Sequence, residues 1–195
     1  MNYKEKFFEL FKHDLKTQRL ELRILEPTTE NAALVWDALK NENPDDFKYA
    51  PMISGGILPK SQDETLQMMQ RQKEWCKNGV DWYVFYNNTL VGYQRIHFWP
   101  ENRTLQCSEV WFLRKYWGQG FNQEVHNKIE EIAFERLQVN RICRQCAESN
   151  ENSFNSIKKS GFHFDGEDRQ AFRMLDGTFL NQCLFSKLIS EYKKQ

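Results

Sequence analysis

Several absences narrow what this chain can be. Its 27 lysines and arginines cancel 27 aspartates and glutamates, with no basic block, so it lacks the electrostatic footprint of a dedicated nucleic-acid binder. No run of about 18 apolar residues occurs, and the opening Met1-Asn-Tyr-Lys-Glu-Lys6 has no apolar stretch of the signal-peptide kind. Neither a membrane span nor secretion is therefore expected, and the protein is placed in the cytoplasm. The five cysteines are an odd number, which argues against a complete disulfide framework and fits a reducing compartment. Cys143 and Cys146 form a C-x-x-C, but no second pair follows at zinc spacing. Their segment also reads as a strand, on which residues three apart face opposite sides, so structural cysteines and no metal are expected. Internal repeats and low-complexity segments are absent as well.

At 195 residues the chain is expected to form a single domain over 1–195, large enough for a substantial core. Residues 1–14 form a short helical extension, in which Phe7, Phe8, Leu10 and Phe11 sit among charged neighbours. Its apolar side packs either on the domain or on a partner subunit, which leaves a homodimer open. Leu20 to Leu25 alternates as a strand. Thr28-Thr29 then caps a helix that buries Ala32, Leu34 to Trp36 and Leu39. Asn41 to Lys60, broken by Pro44, Pro51, Gly55-Gly56 and Pro59, reads as a long irregular connection of the kind that often carries function. It holds Phe47, Tyr49, Met52, Asp45 and Asp46, and is either an acceptor wall or a solvated loop.

Ser61-Gln-Asp-Glu64 is a capping box opening a helix to about Lys77, with Leu66, Met69 and Trp75 for burial. Strands at Asp81–Tyr86, Leu90–Trp99 and Thr104–Leu113 follow, with turns at Asn87-Asn88 and at Pro100–Arg103. Phe121 to Leu137 has helical spacing and leads to the strand Asn140–Ala147. A strand, helix, strand order requires a crossover and a parallel pair. A short helix at Ser153–Ser160, a strand at Phe162–Gly166 and a hairpin turning at Asp176-Gly177 complete the order, and the tail Glu191–Gln195 is expected to fray.

The stretch that organises the rest is Leu113-Arg-Lys-Tyr-Trp-Gly-Gln-Gly-Phe-Asn-Gln-Glu-Val125. A strand feeds a glycine loop that opens a helix, which points backbone N–H groups and a helix dipole at one spot and so suits a phosphate. The Gly-x-Gly alone is ordinary turn chemistry as often as not, and it is neither the dinucleotide fingerprint nor a P-loop. Together with Asn150-x-x-Ser153 and Gly161-Phe162 before Asp165-Gly166, it resembles the coenzyme A site of the GNAT N-acetyltransferases. More narrowly, the likeness is to the branch that acetylates N-terminal amines of ribosomal proteins. The resemblance runs from about Thr17 to Tyr192 and includes Gln18-Arg-Leu-Glu-Leu-Arg23 as that branch's opening strand.

It implies the GNAT α+β fold: a mixed, mostly antiparallel sheet of about seven strands, splayed at a parallel pair and flanked by helices. Acetyl-CoA is the implied co-substrate, held by Phe112, Leu113, Lys115, Tyr116, Trp117, Gly118, Gln119, Gly120, Phe121, Asn122, Asn150 and Ser153. Lys115 stands where the family has Arg or Gln, and Ile157 stands where many members carry a tyrosine acid, which excludes that acid. Glu109 is the first candidate for general base and Ser153 for proton donor to the leaving sulfur. The backbone N–H of Phe112 or Leu113 is expected to polarise the thioester carbonyl. Glu109 is otherwise a sheet-surface carboxylate, and Ser153 and Asn150 otherwise helix caps. Glu148 and His97 are weaker alternatives for the base, His97 more naturally a packed histidine. The acceptor is expected to be a protein N-terminal α-amine. Rivals are a small amine such as a polyamine or an antibiotic, and a module that binds CoA without turnover.

Overall fold

The computed structural model describes residues 2–50, 57–174 and 176–192. The elements in chain order are α1 (Tyr3–Phe11), β1 (Leu15–Lys16), β2 (Leu20–Arg23), α2 (Thr29–Leu39), α3 (Gln62–Trp75), β3 (Gly79–Tyr86), β4 (Thr89–Trp99), β5 (Thr104–Phe112), α4 (Phe121–Glu131), β6 (Arg141–Ala147), α5 (Glu151–Lys159), β7 (His163–Arg173), β8 (Phe179–Leu188) and α6 (Ile189–Tyr192). The strands form one sheet in the order β1-β2-β3-β4-β5-β6-β8-β7. Every neighbouring pair is antiparallel except β5 and β6, which are parallel across the α4 crossover.

The sheet has eight strands where about seven are expected from sequence. The additional one is the two-residue β1, and the strand expected at Phe162–Gly166 and the first strand of the hairpin before Asp176-Gly177 are one strand, β7. Register shifts at Phe164/Gly166 and Asp168/Phe172 interrupt its ladder, which breaks the alternation a sequence reading depends on.

Each face of the sheet carries its own core. On one face α1 and α4, with the π-helical turn Ile132–Leu137 that continues α4, bury Phe7, Phe11, Val125, Ile129 and Phe134 against Trp82, Phe98 and Leu105. Phe7 stacks on Phe98 at 5.1 Å, so the N-terminal helix packs on the sheet. On the other face α2 and α3 cover Tyr83, Phe85, Tyr93 and Trp111. Ser61 Oγ accepts from Glu64 N–H at 3.1 Å, as its capping box predicts. The buried stripe of α3 is Thr65, Met68, Met69 and Gln72, while Trp75 is 61 % exposed, against expectation. Leu34 of α2 likewise faces outward.

Two irregularities of β5 build the site. Arg95 of β4 pairs with Glu109 and Ile96 with Cys107, so Ser108 is an extra, bulged residue. Leu105 and Cys107 therefore face α4, whereas Glu109 turns with Trp111 toward the α2/α3 side. The parallel rungs to β6 run only from Thr104↔Arg141 to Cys107↔Arg144. Beyond that vertex β6 stays with β8 as far as Ala147↔Gln182, and the sheet splits.

Candidate active site at the splayed strands

The split opens a cleft of about 350 Å³, lined among others by Tyr49, Glu109, His126, Arg144, Cys146 and Ser153. Leu113 gives its N–H to the Val91 carbonyl at 2.9 Å, so it is not available to polarise a substrate carbonyl, contrary to one of the two sequence-based options. By the alternation of an antiparallel ladder, the Phe112 N–H then points to the opposite edge, which β6 has left.

At the open end of the cleft the chain makes a tight turn over Arg114–Tyr116, and Gly118 and Gly120 follow at φ 73° and 78°. Both lie in the left-handed region that a β-carbon disfavours. Gly120 is the N-cap of α4 and provides no side-chain cap, so the first-turn N–H groups of Phe121 and Asn122 meet the loop uncapped. The loop is clamped from behind. Glu124 accepts from the Thr17 hydroxyl at 2.5 Å and from Arg19 N–H and Nε at 2.7 Å each. Arg19 also donates to the Gln119 carbonyl at 3.1 Å and lies over the Phe121 ring. Partial burial works against ionisation of Glu124, but the hydrogen bonds from Thr17 and Arg19 win and hold its carboxyl below the usual range.

The other loop residues are placed as follows. Trp117 Nε1 donates to the Phe112 carbonyl at 2.7 Å, and Arg114 lies over its ring. Tyr116 stacks on Phe121, Lys115 is exposed above Tyr116, and Gln119 bonds the Lys115 carbonyl. Asn122 donates to Ser156 Oγ of α5 at 3.3 Å.

Glu109 is 5 % exposed and lines the cleft from the α2/α3 side, where its charge reaches Tyr93 and Tyr83. Asn150 caps α5, its Oδ1 accepting the Ser153 N–H at 3.2 Å. The Ser153 hydroxyl is therefore not the cap. It sits beside Cys146, whose thiol burial and the facing Cys183 push up to about 11 against the pull of that hydroxyl. Ile157, in place of a tyrosine, is buried in the same wall.

The alternatives for a base lie elsewhere. Glu148 is exposed and accepts the Asn181 N–H, tying β6 to β8. His97 packs near Trp99, and burial together with Arg95 lowers its pKa. Of the expected acceptor wall, Tyr49 reaches the cleft; its hydroxyl bonds Ser149 and its ring meets Phe172 of β7, which ties the connection after α2 to the β6–β8–β7 arm of the sheet. Phe47 is instead buried on Trp111, Asp46 pairs with Arg114, and Met52 lies outside the described residues.

Two cleft residues escape a sequence reading. His126 is 1 % exposed with neither ring nitrogen hydrogen-bonded among the described residues; burial and the Arg144 and Lys187 charges push its pKa well below the ordinary value. Arg144 is 4 % exposed on β6. The signal was present in the pattern: Ile142, Arg144 and Cys146 alternate on one face, so an arginine occupies a core position. Asn122, His126 and Glu130 likewise form a polar stripe at i, i+4.

Among the described residues no group of three His, Cys, Asp or Glu side chains could hold a metal, and no helix is long and apolar enough to cross a membrane. The model of the acetyltransferase (GNAT) domain matches residues 19–163. No curated protein matches the chain in sequence.

Solved structures share the fold at low identity. A GCN5-related N-acetyltransferase from Brucella melitensis superposes with a TM-score of 0.82 at 17% identity, over 92% of this chain and 80% of that one. A protein described as a ribosomal-protein-serine acetyltransferase from Vibrio cholerae gives 0.71 at 22%, over 90% and 97%. RimL, a ribosomal L7/L12 α-N-protein acetyltransferase in complex with coenzyme A, gives 0.73 at 18%, over 92% and 99%. Because the family model spans most of the chain, from the β1–β2 turn to the start of β7, the protein belongs to the GNAT acetyltransferases and is an acetyl-CoA-dependent acyltransferase.

Proposed function

We propose that the acceptor is the N-terminal α-amine of a protein, a ribosomal protein first, acetylated in the cytoplasm. The observation that carries this reading is the bulge at Ser108, which turns Glu109 away from the α4 face. The amine and its base then meet the thioester from the α2/α3 side, while the coenzyme comes from the α4 side. An α-amine, with a pKa near 8, needs only a modest base at neutral pH. The names of the Vibrio cholerae and RimL structures support the same acceptor class.

In this scheme the pyrophosphate lies on the N–H groups of the loop from Trp117 to Asn122, with Lys115, Tyr116 and Gln119 around it. The pantetheine arm runs down the free edge of β5, past Phe112 and opposite Asn150. Glu109 takes the ammonium proton and the free amine attacks the carbonyl carbon. A backbone N–H on that same free edge, beyond Phe112, steadies the oxygen as charge develops. When the carbon–sulfur bond breaks, Ser153 gives its proton to sulfur and, by way of solvent, regains the one that the bonded nitrogen sheds as it becomes the amide.

A screen following free-thiol release, with peptides bearing a free α-amine, N-blocked lysine peptides and polyamines, tests the acceptor. The α-amine peptides are expected to lead, and Glu109→Gln should move the rise of activity to higher pH as deprotonation passes to bulk solvent. Preference for a polyamine, or an unchanged pH profile in Glu109→Gln, would refute acceptor and base respectively.

A further inference from the structure

At the vertex of the split, on the α4 face, positive charge is buried without a matching anion. Arg144 forms no salt bridge among the described residues and its Nη1 has no hydrogen-bond partner there. The carboxylate whose charge reaches it is Glu130, and Lys187 already holds that group at 2.8 Å. Both cations lie over the Phe162 ring, at 5.4 and 4.9 Å, so the ring's face is shared by two charges. His126, buried beside them and kept neutral, adds two unpartnered ring nitrogens. Glu109 extends to the other face, where its charge acts on Tyr93 and Tyr83. An unpaired buried cation is costly, so the arrangement calls for an anion from outside.

The position says which part of a ligand meets it. Arg144 is on the last rung before the split, opposite Cys107, and lines the cleft together with His126. If the coenzyme enters at the glycine loop and follows β5, as read above, the run from Phe112 to Cys107, four rungs long because Ser108 is bulged out, carries its arm about 13 Å at about 3.3 Å per rung. The thioester then lies near the vertex, and its acyl group is aimed at Arg144 and His126. The methyl of an acetyl group gains nothing from a guanidinium or an imidazole N–H. A carboxylate at the end of a longer acyl chain supplies the missing charge and accepts from both.

We propose that the cleft also takes acyl-CoA donors whose acyl group ends in a carboxylate, succinyl-CoA being the simplest, with Arg144 and His126 binding that carboxylate. The transfer is otherwise unchanged: the amine nitrogen bonds the thioester carbon and sheds a proton, the carbon–sulfur bond breaks, the thiolate takes a proton, and the terminal carboxylate is a spectator.

The test compares succinyl-CoA with butyryl-CoA, which has the same chain length and a methyl end. Free CoA serves as the control for the coenzyme's placement, and calorimetry without acceptor keeps the result independent of the amine. Wild type should favour succinyl-CoA at least tenfold in binding and in kcat/KM, and in Arg144→Met the ratio should fall to about one. No preference in wild type, or a preference that survives Arg144→Met, overturns the proposal. An equal loss with all acyl donors also overturns it and assigns Arg144 to the departing thiolate. Free CoA failing to bind wild type would refute the coenzyme placement itself, and the proposal with it. Should Arg144→Met not fold, the wild-type comparison decides alone.

Discussion

Replacing Glu130 by leucine tests the charge balance beneath the cleft. Glu130 and Lys187 form an ion pair at 2.8 Å with side chains only 6 % and 4 % exposed, and Lys187 also donates to the Ser160 carbonyl at 2.6 Å. Glu130→Leu leaves Lys187 and Arg144 as two cations around one aromatic ring with no carboxylate between them. Removing one partner of such a pair costs about 3–5 kcal/mol, because the remaining charge stays desolvated. In a chain of this length each kcal/mol moves the midpoint by about 2–4 °C, so Tm should fall by about 6–20 °C. Glu130→Leu/Lys187→Met removes both charges and fills the space with apolar atoms, and should return most of the loss. Melting followed by circular dichroism at neutral pH reads both variants. A single variant within about 2 °C of wild type, or a double variant less stable than the single, would show that the pair is not the counterweight described.

Three further outcomes follow from the site. Gly118→Val/Gly120→Val puts side chains on two left-handed residues, at a strain of about 1–3 kcal/mol each, and obstructs the anion's approach; a folded variant with wild-type acetyl-CoA affinity by calorimetry would refute the loop's role. Ser153→Ala should lower turnover more than coenzyme affinity and leave Tm unchanged, since Asn150 is the cap; wild-type turnover would remove Ser153 from the chemistry. Glu124→Gln tests the clamp through pH. A carboxyl whose folded pKa is depressed stabilises above its ordinary value of 4.5 and loses that contribution as pH falls below it. The stability gap between wild type and Glu124→Gln should therefore be present at pH 7 and narrow progressively as pH falls below 4.5; a gap independent of pH would count against the clamp.

The parts of this fold that are legible in the sequence are those decided locally. The Ser61 cap needs only Glu64, and the glycine loop needs only a strand before it and a helix after it. The parallel pair follows from the crossover alone. What stays hidden depends on partners far along the chain. Nothing near Ser108 announces a bulge, since the bulge exists only in the pairing with Arg95 and Ile96. The loss of the Leu113 N–H depends on Val91, and Tyr49 reaches the cleft through Ser149, 100 residues away. Arg144 and His126 were visible as exceptions in periodic patterns, but an exception identifies a function only when its surroundings are known.

The bulge in β5 has a consequence for how the chain can vary. Side chains on a strand alternate, so the face of Glu109 depends on whether the count of residues from the Cys107 rung is odd or even. Ser108 sets that parity. Deleting it would carry Glu109 and Trp111 to the α4 side and swing Val110 and Phe112 into the aromatic layer with Tyr93, although every residue type downstream were retained. Length changes elsewhere, as in the connection between α2 and α3, leave the parity intact. Single-residue insertions or deletions within β5 should therefore be far more damaging than most substitutions there, and β5 should vary in composition long before it varies in length.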